Sequence, residues 1–216
     1  MPIGDHLRDV MDLYGSPKCP HTNAVLIAAG EKGVDINSHV EDDWGPSSSI
    51  RSMSPLGIGP VLKDRSAVNI GVVSCMSYLD DKGFGPSLVH RNGVTRARMF
   101  QEITIAQQTD CSDDAALAAA LDQLEATLNS PLGNMKGDYC VGQYTLADCA
   151  WAGVCQVATN MGKGTAVSSR SAVNTWFAAV QSHPSTSKEA INPFSCLSTK
   201  ADHDSNSMRD VRINTA

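Results

Sequence analysis

The sequence predicts an α/β segment followed by an all-helical one, and three observations predict it. Before about residue 85, short extended runs alternate with helical ones. From Gly93 onward no strand pattern recurs, and apolar residues repeat at helical spacing instead. A chain of 216 residues is also long enough to bury one large core or two smaller ones.

The elements follow in order. "MDLYG" (11–15) is an apolar strand, and the stretch from about Pro17 to Lys32 carries Val25, Leu26, Ala28 and Ala29 at helical spacing. Gly33 ends that helix as a C′ glycine. "DINSHVE" (35–41) is a second strand, polar enough to lie at an edge, and a Gly/Ser/Pro-rich loop follows at 45–49. "PVLK" and "SAV" are two short strands around a tight turn at Asp64 and Arg65, and "VVSCMSYLDDKG" is a helix closed by glycine. The order is β-α-β-(α)-β-β-α.

In the second half, "GVTRARMFQEITIAQQ" is one helix. "SDDAALAAALDQLEATLN" is another, with Ser112 as N-cap, Asp113 and Asp114 at the positive end of the dipole, and Leu117, Leu121, Leu124 and Leu128 along one face. "YTLADCAWAGVCQVATNMG" opens on a capping box, Thr145 with Asp148 in place of the usual Glu, so that either side chain's loss costs about 0.5–2 kcal/mol. "SAVNTWFAAVQSHP" is a last amphipathic helix burying Val173, Trp176, Phe177 and Val180. The polar tail, 193–216, is loosely attached.

Bulk properties narrow the function. With 23 acidic against 17 basic residues and no Lys/Arg-rich stretch, nucleic acid is not an expected partner. No run approaches the roughly 18–20 apolar residues that cross a bilayer, and the start lacks the apolar core of a secretory signal, so a soluble, cytoplasmic protein is expected. Seven scattered cysteines fit neither a disulfide framework nor paired zinc ligands, and the six histidines show no ligand spacing. A reducing compartment and no bound metal are expected.

Cys19 is the residue with chemistry in it. It stands where a strand gives way to a helix, facing the unpaired N–H groups and positive dipole end that favour thiolate over thiol, with Lys18 adding positive charge. Pro20 suits the first helical turn, and His21 and Thr22 are placed to donate further hydrogen bonds to the sulfur. Ser16 is the alternative, either a second candidate for the reacting position or a turn residue before Pro17. The other cysteines read as packing residues.

Four stretches resemble the glutathione S-transferases. "LYGSPKCPHTNAVLIAAGEKGVD" is similar to the family's first strand and helix, and "SPLGIGPVL" to its "NPxGxVPxL" turn. "SYLDDK" is similar to the end of its third helix, and "GQYTLADCAWAG" to its "GxxxTxADxxxxx" helix start. The resemblance implies a thioredoxin-like, glutathione-binding domain over 11–84, an all-helical domain over 93–192, a cis peptide at Pro60 and a homodimer. It also implies a transferase that uses glutathione as cosubstrate against small electrophiles or disulfides. "CPHT" looks like the start of the cysteine type, so Cys19 aligns with the residue that meets the glutathione sulfur.

One part departs from the pattern. Where members carry "ESxAI", whose Glu and Ser hold the γ-glutamyl end of glutathione, this chain has Gly71 and Val72; Ile58 replaces the Gln or Lys before the cis-proline, and Gly59 the Val. What remains is backbone, from Gly59 beside Pro60 and from the N–H groups at 72 and 73. A two-residue slip places Asn69 or Ser74 there instead. Glutathione is therefore expected to bind weakly, and replacing Gly71 by Glu and Val72 by Ser to tighten it, provided Gly71 has ordinary dihedrals. The alternative function is a transferase-like subunit without catalysis.

Overall fold

Met11–Gly15 forms β1, with Met11, Leu13 and Gly15 buried and Asp12 and Tyr14 half-buried, the period-two alternation of a strand with one face on a core. The structure, a computed structural model, describes residues 10–41, 48–129 and 137–183. The tail 193–216 with Cys196, and positions 45–47 of the Gly/Ser/Pro-rich loop, lie outside the described residues.

Helix α1 (Pro20–Glu31) begins three residues later than the sequence suggests. The reason is local. Cys19 precedes a proline, which excludes helical dihedrals, and it takes φ −92°, ψ 122°. Residues 16–19 instead close a turn in which the Cys19 N–H donates to the Ser16 carbonyl at 3.0 Å. Residues Thr22 to Ala29 are all buried, because α1 is covered by α3 (Val72–Lys82) on one side and α6 (Leu146–Ala158) on the other.

Strands β2 (Ile36–Val40), β3 (Val61–Asp64) and β4 (Ala67–Ile70) complete a sheet in the order β2-β1-β3-β4. β2 runs parallel to β1 at the sheet edge, as its polarity suggests, and the other two pairings are antiparallel. The β3–β4 turn falls on Arg65 and Ser66, one residue later than expected, since Asp64 still pairs with Ala67. A short helix, α2 (Ser49–Met53), precedes β3.

The second half contains α4 (Gly93–Gln108), α5 (Asp114–Asn129), α6, α7 (Gly164–Ser168) and α8 (Ser171–Gln181). The α5 cap is Asp113, not Ser112: its carboxylate accepts the N–H groups of Ala115 and Ala116 at 2.8 and 3.1 Å, while Ser112 bonds back to Asp110. Between α6 and α7 the chain kinks over Thr159–Lys163, where Gly162 takes φ 79°, ψ 9°. On α8, Val173, Trp176 and Val180 are buried and Phe177 is half-buried at the margin.

The two halves are joined by α1 on α6, and Gly153 makes that approach possible. A Cβ there would lie 2.4 Å from the Pro20 carbonyl oxygen and 2.9 Å from the Ala24 nitrogen, so α6 crosses directly beneath the first turn of α1. This is the turn that carries Cys19. A buried Lys32–Asp80 ion pair (3.1 Å) holds the connection between the halves, Lys32 also donating to the Pro86 carbonyl and Asp80 accepting from the Leu88 N–H.

Candidate functional site at the start of the first helix

Strand register gathers the sequence-predicted residues at one end of the sheet. Tyr14 near the end of β1 pairs with Val61 at the start of β3, and Val61 pairs with Ile70 at the end of β4. Ser16 and Cys19 therefore follow β1, Gly59 and Pro60 precede β3, and Gly71 and Val72 follow β4, all at that end. The Gly59–Pro60 peptide is cis, and the Pro60 carbonyl accepts the Gly71 N–H at 2.9 Å.

Among the described residues, Cys19 is the one cysteine that is not buried. Burial acts to raise its thiol pKa, but a hydrogen bond and charge from the His21 imidazole outweigh it, together with the N–H groups of Thr22 and His21, so the thiol lies below its ordinary value. The same partnership raises the His21 pKa against the opposing effect of burial. The buried thiols go the other way. Burial pushes Cys75 up to about 12 and Cys111 to about 11. The group that leads in lowering the Cys19 thiol is thus His21, while Lys18 is exposed.

His21 is fixed from the far side. Its Nε2 lies 3.1 Å from the carbonyl oxygen of Gln107, in the last turn of α4. A carbonyl only accepts, so Nε2 carries a proton and Nδ1 is the ring nitrogen left for the Cys19 sulfur. The sequence showed His21 two residues after Cys19 but held no sign of Gln107, which comes from the other half of the chain.

Ser16 is buried, and its hydroxyl oxygen accepts the Lys18 N–H at 3.2 Å, stabilising the turn that presents Cys19. At the second cluster, Gly71 is the N-cap of α3 with φ 83°, ψ 156°, a conformation that L side chains rarely adopt. This overturns the condition on which Gly71→Glu was to be tolerated. Val72 is 1% exposed, so its side chain faces the core and only its N–H faces the helix start. Asn69, the alternative from a shifted register, has a buried side-chain nitrogen with no partner among the described residues, while Ser74 is exposed.

The chain matches no protein-family model. It is 33% identical over 91 residues to a stringent starvation protein A homolog of Coxiella burnetii, a match spanning 42% of this chain and 44% of that protein. The chain thus spans less than half the length of that relative. A second such homolog, from Pasteurella multocida, is 27% identical over 152 residues, 66% of this chain and 72% of its own. Among solved structures, a maleylacetoacetate isomerase of Methylobacterium extorquens with bound malonate and glutathione superposes with a TM-score of 0.70 at 17% identity, covering 82% of this chain and 94% of that one. A glutathione transferase from Populus trichocarpa superposes with a TM-score of 0.65 at 20% identity, covering 82% and 96%.

The chain has the glutathione S-transferase fold. Within this glutathione S-transferase fold, the thioredoxin-like half supplies Cys19 and the cis-Pro60 turn, and the helical half supplies the carbonyl that holds His21. Among the described residues, no helix is long and apolar enough to cross a membrane.

Proposed function

We propose that the protein is a glutathione-dependent thiol transferase in which Cys19 is the nucleophile. The Cys19 thiolate attacks one sulfur of a small disulfide or glutathionyl adduct; a new S–S bond forms as the old one breaks, and the departing sulfur leaves as thiolate. Glutathione thiolate then attacks the mixed disulfide, returning Cys19 as thiolate and carrying the second sulfur away as a disulfide. Against a carbon electrophile, the same corner stabilises glutathione thiolate for direct attack. The observation that carries this reading is the contrast among thiols: Cys19 is accessible and lowered in pKa, whereas Cys75 and Cys111 are buried and raised.

The glutathione seat in this reading is backbone. Gly59 makes no hydrogen bond to other described residues and offers its N–H and C=O to the cysteinyl part, beside Pro60. The N–H groups of Val72 and Val73 open the eleven-residue α3, without a side-chain cap from Gly71, and meet a carboxylate. Ser16 supports Cys19 through the turn. We further read the molecule as a cytoplasmic homodimer.

The test is turnover. Glutathione-dependent reduction of a small mixed disulfide, followed by coupled consumption of reduced nicotinamide cofactor, is expected for the unmodified protein and lost by at least about a hundredfold in Cys19→Ser, with Ser16→Ala far milder. Equal turnover by Cys19→Ser contradicts the assignment. One observation favours a second reading, a binding subunit without catalysis: neither Gly71 nor Val72 offers a polar side chain to the charged end of glutathione. Two missing bonds to charged groups, roughly 1.5–3 kcal/mol each, weaken affinity by about a hundredfold or more. Calorimetry that detects no glutathione binding at millimolar concentration, with no turnover, selects this reading.

A further inference from the structure

We infer that His21 is the positioning residue for the Cys19 thiol, with its tautomer set by the backbone carbonyl of Gln107, so that the helical half of the molecule determines how the thiol is presented. The inference rests on Cys19 being the reactive thiol and adds how that thiol is controlled.

Three observations carry it. The first is geometric: Nε2 of His21 is 3.1 Å from the Gln107 carbonyl oxygen, across 86 residues of sequence. That contact assigns a proton to Nε2 and leaves Nδ1 as the ring nitrogen for the sulfur, so a protonated imidazole donates to a thiolate and a neutral one accepts from a thiol. The second is the backbone around the pair. Asn23 ties the corner down by donating to the carbonyls of Pro17 and Cys19, both at 2.8 Å. The sulfur faces the imidazole and the N–H groups of His21 and Thr22, the groups that lower its pKa.

The third is the charge around the pair. The first turn of α1 has no acidic residue, and exposed Lys18 precedes it. From the α4–α5 connection, Cys111 is close enough to feel the charge of Cys19, with Asp110 and Lys163 beside it. Burial keeps Cys111 protonated at neutral pH, and Lys163 is engaged by the Cys111 and Ser112 carbonyls and by Asp114. His21 thus leads the groups that lower the Cys19 thiol, ahead of the first N–H groups of α1.

The experiment is the pH profile of Cys19 alkylation by iodoacetamide, read by mass spectrometry, in the full chain and in His21→Ala, His21→Gln and Gln107→Ala, with circular dichroism on each. His21→Ala is expected to move the midpoint up by about one pH unit, which slows labelling about tenfold on the acid side of the midpoint. His21→Gln can still donate to the Gln107 carbonyl but carries no charge, and is expected to shift the midpoint as alanine does. Gln107→Ala removes a side chain and keeps the carbonyl, so its profile stays at that of the unmodified protein. A wild-type midpoint in folded His21→Ala, or in His21→Gln, overturns the role of His21 while leaving Cys19 as the reactive thiol. Labelling of Cys19 in the unmodified protein no faster than that of Cys75 or Cys111 overturns the underlying reading instead. Nitrogen-15 imidazole shifts supply the second readout: Nε2 protonated throughout and Nδ1 moving with the thiol supports the assignment, and an Nδ1–H neutral tautomer contradicts it.

Discussion

Two helix starts in this molecule solve one problem in opposite ways. At the start of α6, the buried Asp148 carboxylate accepts from the Thr145 N–H (2.9 Å), the Thr145 hydroxyl (3.1 Å), the Cys140 N–H (3.0 Å) and the Trp176 indole N–H (2.8 Å). At the start of α1 the cap is Cys19, half-exposed, its sulfur facing an imidazole and the first N–H groups of the helix. The first start is closed inside the fold, so its residues contribute stability. The second leaves its N–H groups to an ionisable sulfur in contact with solvent, which provides chemistry and little stability. The start of α1 rests on the middle of α6 at Gly153, where α6 passes beneath the turn that holds Cys19.

The largest effect belongs to the closed start. Asp148→Ala orphans three buried N–H donors at about 1–3 kcal/mol each, so a loss of roughly 3 kcal/mol or more is expected in urea denaturation. This exceeds the pure capping-box expectation, because Asp148 also binds the chain before α6 and the indole of α8. A loss no larger than a cap's would break the comparison, leaving Asp148 an ordinary cap residue.

Gly153→Ala comes next. Its methyl group meets backbone atoms of α1 and not a flexible side chain, so about 1–3 kcal/mol of overpacking is expected, with a changed Cys19 labelling rate because the first turn of α1 must shift. A labelling rate unaltered in a clearly destabilised variant would separate the start of α1 from the α6 segment packed beneath it. Thr145→Ala is smaller, about 0.5–2 kcal/mol, and combined with Asp148→Ala it is expected to lose less than the sum, since both side chains serve one helix end. Full additivity would mean that the box does not act as a unit.

What was legible in the sequence was local. The bounds of α4, the edge position of β2 and the Thr145–Asp148 box depend on residues within a few positions of each other. Where two neighbours had the same local credentials, the pattern left the choice open: Ser112 and Asp113 both cap well, and Pro17 and Pro20 both suit a first turn. A glycine at 71 was visible, but the sign of its φ was not, because that depends on how β4 enters α3. The tie from His21 to Gln107 and the reach of Asp148 to Cys140 and Trp176 arise only when distant segments are packed together.

Cys19→Ser is expected to change stability least, by about 0.5 kcal/mol or less, because the site is half-exposed and serine fits the same turn. The sulfur nevertheless carries the central claim, and its reactivity tests that claim most directly. A short iodoacetamide pulse on the folded, unmodified protein near pH 7, resolved by site, is expected to label Cys19 at least about tenfold faster than Cys75, Cys111, Cys140, Cys149 and Cys155. The apparent thiol midpoint is expected below that of an ordinary cysteine. Labelling of Cys19 at the pace of those buried thiols, or a midpoint at or above that of an ordinary cysteine, would show that this helix start is closed like the other and that Cys19 is a packing residue.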